Sequence, residues 1–117
     1  IGLELGISVA SIAVRQEATG ATGEWRGDVG ATAKRALKKD EMLDGEGGFT
    51  VYGKLMQTAD SLRMNALPIG LAHNMVLKRD IAAGEVVTWD DVDYNPTQQA
   101  VAVRREQEAL FRREMRA

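Results

Sequence analysis

Apolar and polar residues alternate most clearly near the middle of the chain. Phe49, Val51 and Leu55 are separated by polar or small residues, close to the period of two of a half-buried strand. The preceding residues, 44–48, comprise three glycines and two carboxylates. Glycine takes positive φ angles readily and lets another backbone or a ligand approach closely. The pattern predicts a polar, glycine-built loop that leads into a strand.

A second pattern occurs twice, in residues 33–43 (copy one) and 77–87 (copy two). Each copy has Lys-Arg, an apolar residue, a turn position, Glu and further apolar residues. The corresponding residues are Lys34 and Lys78, Arg35 and Arg79, Glu41 and Glu85, and at the turn Asp40 and Gly84. Two copies are too few for a solenoid. We expect a pseudo-twofold β module in which each copy forms a bent hairpin.

The first 14 residues are apolar or small apart from Glu4. Their odd positions alternate as in a strand, but the small residues favour a closely packed helix. The segment lacks the basic start of a signal peptide and is too short to span a bilayer. We expect it to pack against a missing upstream domain or a partner subunit.

Residues 16–28 have the glycines and threonines of a connector. Trp25 is its expected apolar anchor. Arg26 and Asp28 are expected to form a solvated pair of little energetic consequence.

Residues 97–117 are expected to form an amphipathic helix. Its predicted apolar stripe consists of Val103, Gln107, Leu110, Phe111 and Met115. Glu108 and Arg112 have the spacing of an i,i+4 ion pair. The stripe is expected to pack on the β module or on a second subunit.

Shorter elements are expected between these segments. Residues 29–34 have the pattern of a strand, and residues 57–63 that of a helical turn. The apolar loop 67–73 is expected to cover the core. Thr88 and Asp91 have the spacing of a helix cap, in which a hydroxyl is followed three residues later by a carboxylate.

Composition narrows the possible functions. The chain has no cysteine, which excludes disulfides and thiolate metal sites and fits a cytoplasmic setting. The net charge of -2 argues against a nucleic-acid-binding face. Aromatic residues are scarce, so an aliphatic core is expected.

The glycine-rich loop lacks the spacing of known phosphate-binding loops. No Gly-Lys-Ser/Thr follows it, as a Walker A loop requires, and the third glycine of a dinucleotide fingerprint is absent. Asp44 and Glu46 suit either of two roles: binding a cation or a polyol hydroxyl, or capping turns.

Three other residues are candidates for facing a substrate. Tyr52 and Lys54 lie on the polar side of the predicted strand, where they either polarise a carbonyl or hold a phosphate, or are simply solvated. His73 is the one histidine, either an acid–base group or a structural residue bonded to backbone. The sequence predicts no catalytic residue and no metal ligand.

The two copies, and residues 77–92 above all, resemble an SAF domain. This is the β-clip module of sialic acid synthase C-termini, type III antifreeze proteins, flagellar P-ring assembly chaperones and some sugar-acid dehydratases. Its most specific local signature here is Ala-Gly-Glu, an apolar pair and then Asp-Asp-Val. The implied fold is mainly β with flanking helices (α+β). The module spans residues 29–95, between an N-terminal apolar helix with its connector (1–28) and a C-terminal amphipathic helix (96–117).

Residues 1–11, 44–54 and 67–73 also resemble the C-terminal part of a bacterial oxidoreductase family. Its members are predicted homoserine dehydrogenases with a C-terminal SAF domain, and the family includes deoxyxylulose-phosphate-reductoisomerase-like enzymes. The resemblance implies a separate N-terminal Rossmann domain that binds NAD(P). This chain would then carry no cofactor site of its own.

Two functions follow as hypotheses. The first is an accessory domain that assembles subunits into a homo-oligomer or closes a substrate cleft, without catalytic residues. The second is a stand-alone module that binds a sugar or sugar acid. Neither involves nucleic acid or a membrane.

Overall fold

A computed structural model describes residues 2–114. The helices are α1 (Leu5–Ala10), which continues as a π-helical turn (Ser11–Arg15), α2 (Thr58–Met64) and α3 (Gln99–Glu114). The strands are β1 (Gly27–Ala33), β2 (Met42–Asp44), β3 (Val51–Gln57), β4 (His73–Leu77) and β5 (Val92–Asp93). Two short 3-10 turns lie at Ile69–Leu71 and Trp89–Asp91.

The strands form two antiparallel sheets. β1 pairs with β3 over seven residues, and β4 lies between β2 and β5. The core between them is mostly aliphatic, with Trp89 as its largest side chain. The expected fold class, mainly β with flanking helices, is confirmed.

The two sequence copies fold into equivalent turns. Glu41 accepts hydrogen bonds from Arg35 and from the Lys38 amide, the latter at 3.0 Å. Its counterpart Glu85 bonds Arg79 and the Ala82 amide in the same way, at 2.7 and 2.9 Å. In both copies the glutamate therefore closes the turn while it pairs with the arginine.

The turn positions and the contacts between the copies follow the same symmetry. Asp40 and Gly84 both have positive φ angles, 69° and 80°. Leu37 and Ile81 exchange two backbone hydrogen bonds, of 2.9 and 3.0 Å, where the copies meet. The expected pseudo-twofold relation between the copies is confirmed, with copy one turning between β1 and β2, which pair with β3 and β4.

The smaller elements lie close to their predicted positions. β1 covers most of the strand predicted at 29–34, and α2 the helical turn predicted at 57–63. Thr88 and Asp91 form a complete capping box, in which the Thr88 amide and hydroxyl both donate to the carboxylate at 2.8 Å. In the apolar loop, Leu67 and Ala72 belong to the core, as expected.

The alternation in and before β3 does not match its buried face. Val51 is buried, as predicted, but Phe49 is 83% and Leu55 74% exposed. β3 is an outer strand, and the core covers only the end at Val51. The alternation correctly indicated a strand, but it could not show whether another layer of the fold covers that strand.

The C-terminal helix is present, but the predicted face is wrong. Val103 and Leu110 are more than half exposed. Val101 and Glu108 are buried instead. Phe111 is half-buried against Trp25, at 5.4 Å between ring centroids, which confirms Trp25 as an anchor. The stripe's last predicted residue, Met115, lies outside the described residues.

α3 is attached through buried charges. Arg104 makes a two-pronged ion pair with Asp28, at 2.5 and 3.0 Å, and a further pair with Glu108 at 2.9 Å. Ser61 donates to Asp28 at 2.5 Å. The predicted solvated pair of Arg26 and Asp28 is therefore wrong, because Asp28 is buried beneath α3.

Glu108 connects this cluster to the core. It accepts hydrogen bonds from Arg105 at 2.8 Å and from the Trp89 indole at 3.2 Å. The guanidinium of Arg105 also lies 4.8 Å above the Trp89 ring. The predicted pairing of Glu108 with Arg112 is wrong, since Arg112 donates to the Leu62 carbonyl instead.

The N-terminal segment is helical from Leu5 to Arg15, as expected, but none of these helical residues is buried. Six apolar side chains in or beside it are 60–95% exposed, namely Leu3, Leu5, Ile7, Val9, Ile12 and Val14. The predicted packing partner of this segment is not among residues 2–114.

Candidate functional site

The glycine-rich loop is closed by one carboxylate at the end of β2. Asp44 accepts hydrogen bonds from the Thr50 hydroxyl and from the amides of Phe49 and Thr50, the amides at 2.6 and 3.0 Å. These bonds, that of the Thr50 hydroxyl above all, lower the pKa of Asp44 to about 2. Asp44 is thus charged at neutral pH and holds the two ends of the loop together.

The glycines of this loop are required by its closure. Gly45 and Gly47 have φ angles of 78° and 79°, in the region that side chains disfavour. A Cβ at Gly48 would collide with the Asp44 carboxylate. The high glycine content is therefore accounted for by the loop itself.

The closed loop presents two exposed side chains. Phe49 is largely exposed although its amide is held by Asp44, and Glu46 is exposed at the turn. The Lys34 ammonium group donates a hydrogen bond to the Gly48 carbonyl of the loop, at 2.5 Å. An aromatic ring and a carboxylate therefore face outward from a hydrogen-bonded backbone.

His73 lies beside this loop. It is the register partner of Asp44 between β4 and β2, and its Nδ1 is 3.3 Å from the Asp44 carbonyl oxygen. A Cβ at Gly45 would come within 2.9 Å of the same ring nitrogen. Asp44 and His73 are thus brought together by the sheet.

Tyr52 and Lys54 lie in the other sheet. They are exposed residues of β3, opposite Thr32 and Gly30 of β1. The five candidate residues therefore fall into two groups, one around the glycine-rich loop and one on β3.

An open cleft of about 580 Å³ extends from His73 towards the start of α3. Its lining residues are Gly70, Leu71, His73, Asn74, Met75, Asp93, Tyr94, Asn95, Gln98 and Ala100. Polar side chains thus come from the ends of β4 and β5 and from the turn before α3. Leu71, Met75 and Tyr94 supply apolar surface between them.

Most of this cleft was not predicted from the sequence. Asn74 and Asp93 lie on adjacent strands that are distant in sequence, so no local motif joins them. Asn74 has a φ angle of 55°, a strained conformation that only the structure reveals. The side-chain oxygen of Asn95 accepts hydrogen bonds from the Thr97 amide and hydroxyl, at 2.9 and 2.7 Å, just before α3.

The cleft contains both hydrogen-bond donors and acceptors. Asn74 and Gln98 offer amide groups, Asp93 a carboxylate and His73 a ring that donates or accepts. Such a mixture suits a small molecule with several hydroxyl groups. Among residues 2–114, no group of three or more His, Asp or Glu residues is placed to hold a metal ion.

Within the described range, every helix is too short or too polar to cross a membrane.

Comparison with known proteins supports a family assignment. A search of curated proteins found no match. The family model of the SAF domain matches residues 29–93, more than half of the chain. These residues run from β1 to β5 and include both copies of the repeat, the glycine-rich loop and most of the cleft lining. The chain belongs to the SAF domain family.

Proposed function

We propose that this chain is the accessory SAF domain of an NAD(P)-dependent oxidoreductase. In this proposal residues 29–95 are the domain itself, and residues 1–28 connect it to a Rossmann domain that holds the nicotinamide cofactor. The domain contributes no catalytic residue and assembles subunits or closes one side of the substrate cleft. The resemblance of residues 1–11, 44–54 and 67–73 to homoserine dehydrogenase-like proteins supports this parent.

The observation that carries the proposal is the uncovered apolar surface of α1 and its π-helical continuation. Its apolar residues face several directions, and none is buried. A helix that is apolar around most of its circumference is typical of a buried position. Large exposed apolar surfaces in folded proteins mark sites of association. An adjoining domain or subunit of the parent enzyme would cover this segment.

The glycine-rich loop gives the domain a means of closing a cleft. Its backbone is fixed by Asp44, and it presents Phe49 and Glu46 to the surroundings. A rigid loop with an exposed aromatic ring can exclude water from a neighbouring site at little entropic cost. In this role Asp44 and His73 position the loop, and Glu46 faces the substrate.

The experiment is to sequence the gene around this reading frame and then to assay its complete product. We expect a dinucleotide fingerprint upstream and reduction of NAD(P)+ with an amino-alcohol substrate such as homoserine. Ile7→Asp in the complete protein is expected to weaken subunit or domain association. Ala102→Asp, at an exposed position of α3, is the matched control. A complete product without the fingerprint would refute the proposal.

A second candidate function is supported by the cleft at His73. A stand-alone module would bind a polyol or sugar acid between Asn74, Asp93 and Gln98. Calorimetry with a panel of polyols and sugar acids tests this function. We expect a binding heat that Asp93→Ala abolishes and Glu106→Ala, on exposed α3 surface, leaves intact. No heat with any ligand at millimolar concentration would eliminate this candidate.

A further inference from the structure

One long edge of the β1–β3 sheet is open. Among residues 2–114, β3 pairs with β1 alone. β1 in turn uses its second edge, because the amides of Ala31 and Ala33 donate to the carbonyls of Leu67 and Glu85, at 2.7 and 2.9 Å. β3 is therefore the outer strand of this layer.

The pairing pattern shows which backbone groups face that edge. The backbone N–H of Ala31 points away from β3, towards Leu67. The β1 residues on either side of Ala31 therefore hydrogen-bond to β3, and Gly30 pairs with Lys54. In an antiparallel pair the residues alternate in direction. The N–H and C=O groups of Gly53 and Leu55 and the N–H of Gln57 consequently point outward. The Gln57 carbonyl, at the N-cap of α2, accepts the first hydrogen bond of that helix instead.

The open part of the edge is residues 53–57. Gly53, Leu55 and Gln57 are exposed, whereas Val51, which has the same backbone direction, is fully buried. Natural edge strands are usually protected by charges, proline or bulges. This segment has no proline, no register irregularity in its pairing and one charged residue, Lys54. Its centre is instead Leu55, which is 74% exposed and lies opposite the exposed Val29 of β1.

We propose that residues 53–57 of two copies of this chain pair antiparallel around Leu55. The two sheets would then form one four-stranded sheet, in the order β1, β3, β3 of the second copy and β1 of the second copy. This surface is separate from α1, so the inference does not rest on the proposed function.

The register follows from self-complementarity. Centred on Leu55, the pairing places Gly53 opposite Gln57 and Leu55 opposite its own copy. About four hydrogen bonds result, two between the Leu55 residues and one from each Gln57 amide to the facing Gly53 carbonyl. On the other face, Lys54 lies opposite Met56, and no like charges meet.

Neighbouring registers are less favourable. A pairing centred on Lys54 would place two ammonium groups opposite each other, which destabilises a strand pair. It would also require the backbone N–H and C=O groups of Tyr52, Lys54 and Met56, which already hydrogen-bond to β1. A pairing centred on Gly53 would need Val51, which has no exposed surface. The segment is therefore matched to a second copy of itself in one register.

Amide hydrogen exchange of the full chain, measured by NMR, tests the proposal directly. We expect the Leu55 amide to be protected at about 0.1 mM and to exchange at least about tenfold faster on dilution below the dissociation constant. The Lys54 amide, bonded to β1, is the internal control and stays protected throughout. A Leu55 amide that exchanges at an unprotected rate at every concentration would overturn the proposal.

Sedimentation of substituted chains gives a second measurement. Leu55→Lys places a charge opposite its own copy and is expected to weaken dimerisation at least about tenfold. Because Leu55 is exposed, this change does not disturb the core. Leu110→Lys, an exposed leucine on α3, is the matched control and is expected to dimerise normally.

Removal of residues 2–14 distinguishes this interface from one formed by α1. A dimer that survives the removal but is lost in Leu55→Lys supports strand pairing. A dimer that is lost on removal and retained in Leu55→Lys overturns it, as does a wild-type chain that is monomeric at about 0.1 mM.

Discussion

The two terminal helical segments relate to the rest of the molecule in opposite ways. α1 and its continuation are apolar, yet none of their described residues is buried. α3 has an apolar stripe as well, but it attaches to the module through a charged face with Arg104 and Glu108 at its centre. Apolar character alone therefore did not decide which helical surface is covered.

The difference lies in what the module offers to each helix. Asp28 of β1 and the indole of Trp89 together provide an acceptor and a donor for α3. A buried charge is tolerated only when it is paired and hydrogen-bonded, and here each carboxylate has several donors. Once these partners converge, the charged face of α3 becomes the inner one, and Val103 and Leu110 of its stripe face solvent.

The largest expected effect is on the α3 attachment. Arg104→Ala leaves Asp28 buried without its ion pair and removes one partner of Glu108. We expect a loss of about 3–5 kcal/mol in the free energy of unfolding, measured with urea. Arg113→Ala, at an exposed position on the same helix, is expected to change it by less than about 0.5 kcal/mol. Similar small losses for both variants would show that the charged face does not hold α3.

The loss of unfolding free energy caused by Arg104→Ala is expected to be smaller in acid than at neutral pH. Burial by itself would raise the pKa of Asp28, but hydrogen bonds from Arg104 and Ser61 hold it below its ordinary value. A lowered pKa in the folded state means that this stabilisation is complete above the ordinary carboxyl pKa, about 4, and is lost as the pH falls below it. Urea unfolding of both chains at neutral pH and at about pH 3 measures this loss under each condition. A loss that grows in acid would contradict the assignment of this stability to the ion pair of Asp28 and Arg104.

A matched pair of valines tests which face of α3 is covered. Val101 is fully buried and Val103, two residues later, is exposed. Val101→Ala is expected to cost about 1–3 kcal/mol through lost burial and a cavity. Val103→Ala should change the unfolding free energy by less than about 0.5 kcal/mol. A larger loss for Val103→Ala than for Val101→Ala would mean that the apolar stripe is the covered face of α3.

The smallest expected effect is on the N-terminal segment. Removal of residues 2–14 is expected to leave the unfolding free energy within about 0.5 kcal/mol of wild type, because no described residue of α1 is buried. Thermal and urea unfolding of the two chains make the comparison. A clear loss of stability would mean that α1 docks on the module after all.

Features set by neighbouring residues were predictable from the sequence. The paired turns follow from a glutamate, an arginine and a turn residue within one short stretch, so Glu41 and Glu85 were correctly matched. The Thr88 cap is equally local. The buried face of α3 was not predictable, because Asp28 meets Arg104 across most of the chain.

The candidate site shows the same division. Asp44 and its glycines could be recognised as one loop, since they are consecutive. The cleft beside His73 joins Asn74 to Asp93 and Gln98 through strand pairing and a turn, and no spacing in the sequence reveals it. Whether Glu46, Tyr52 or Lys54 faces a substrate stays a prediction.

The interlocked turns have a consequence for how the chain folds during synthesis. The Asp40 amide donates to the Leu77 carbonyl, and the Gly84 amide donates to the Ala33 carbonyl. The bonds that join the two turns therefore cannot form until copy two has left the ribosome, although copy one can already pair Glu41 with Arg35. Contacts between residues so distant in sequence slow folding and must form together. A nascent chain that stops before Leu77 would remain unfolded, and the module should appear in one late, cooperative step.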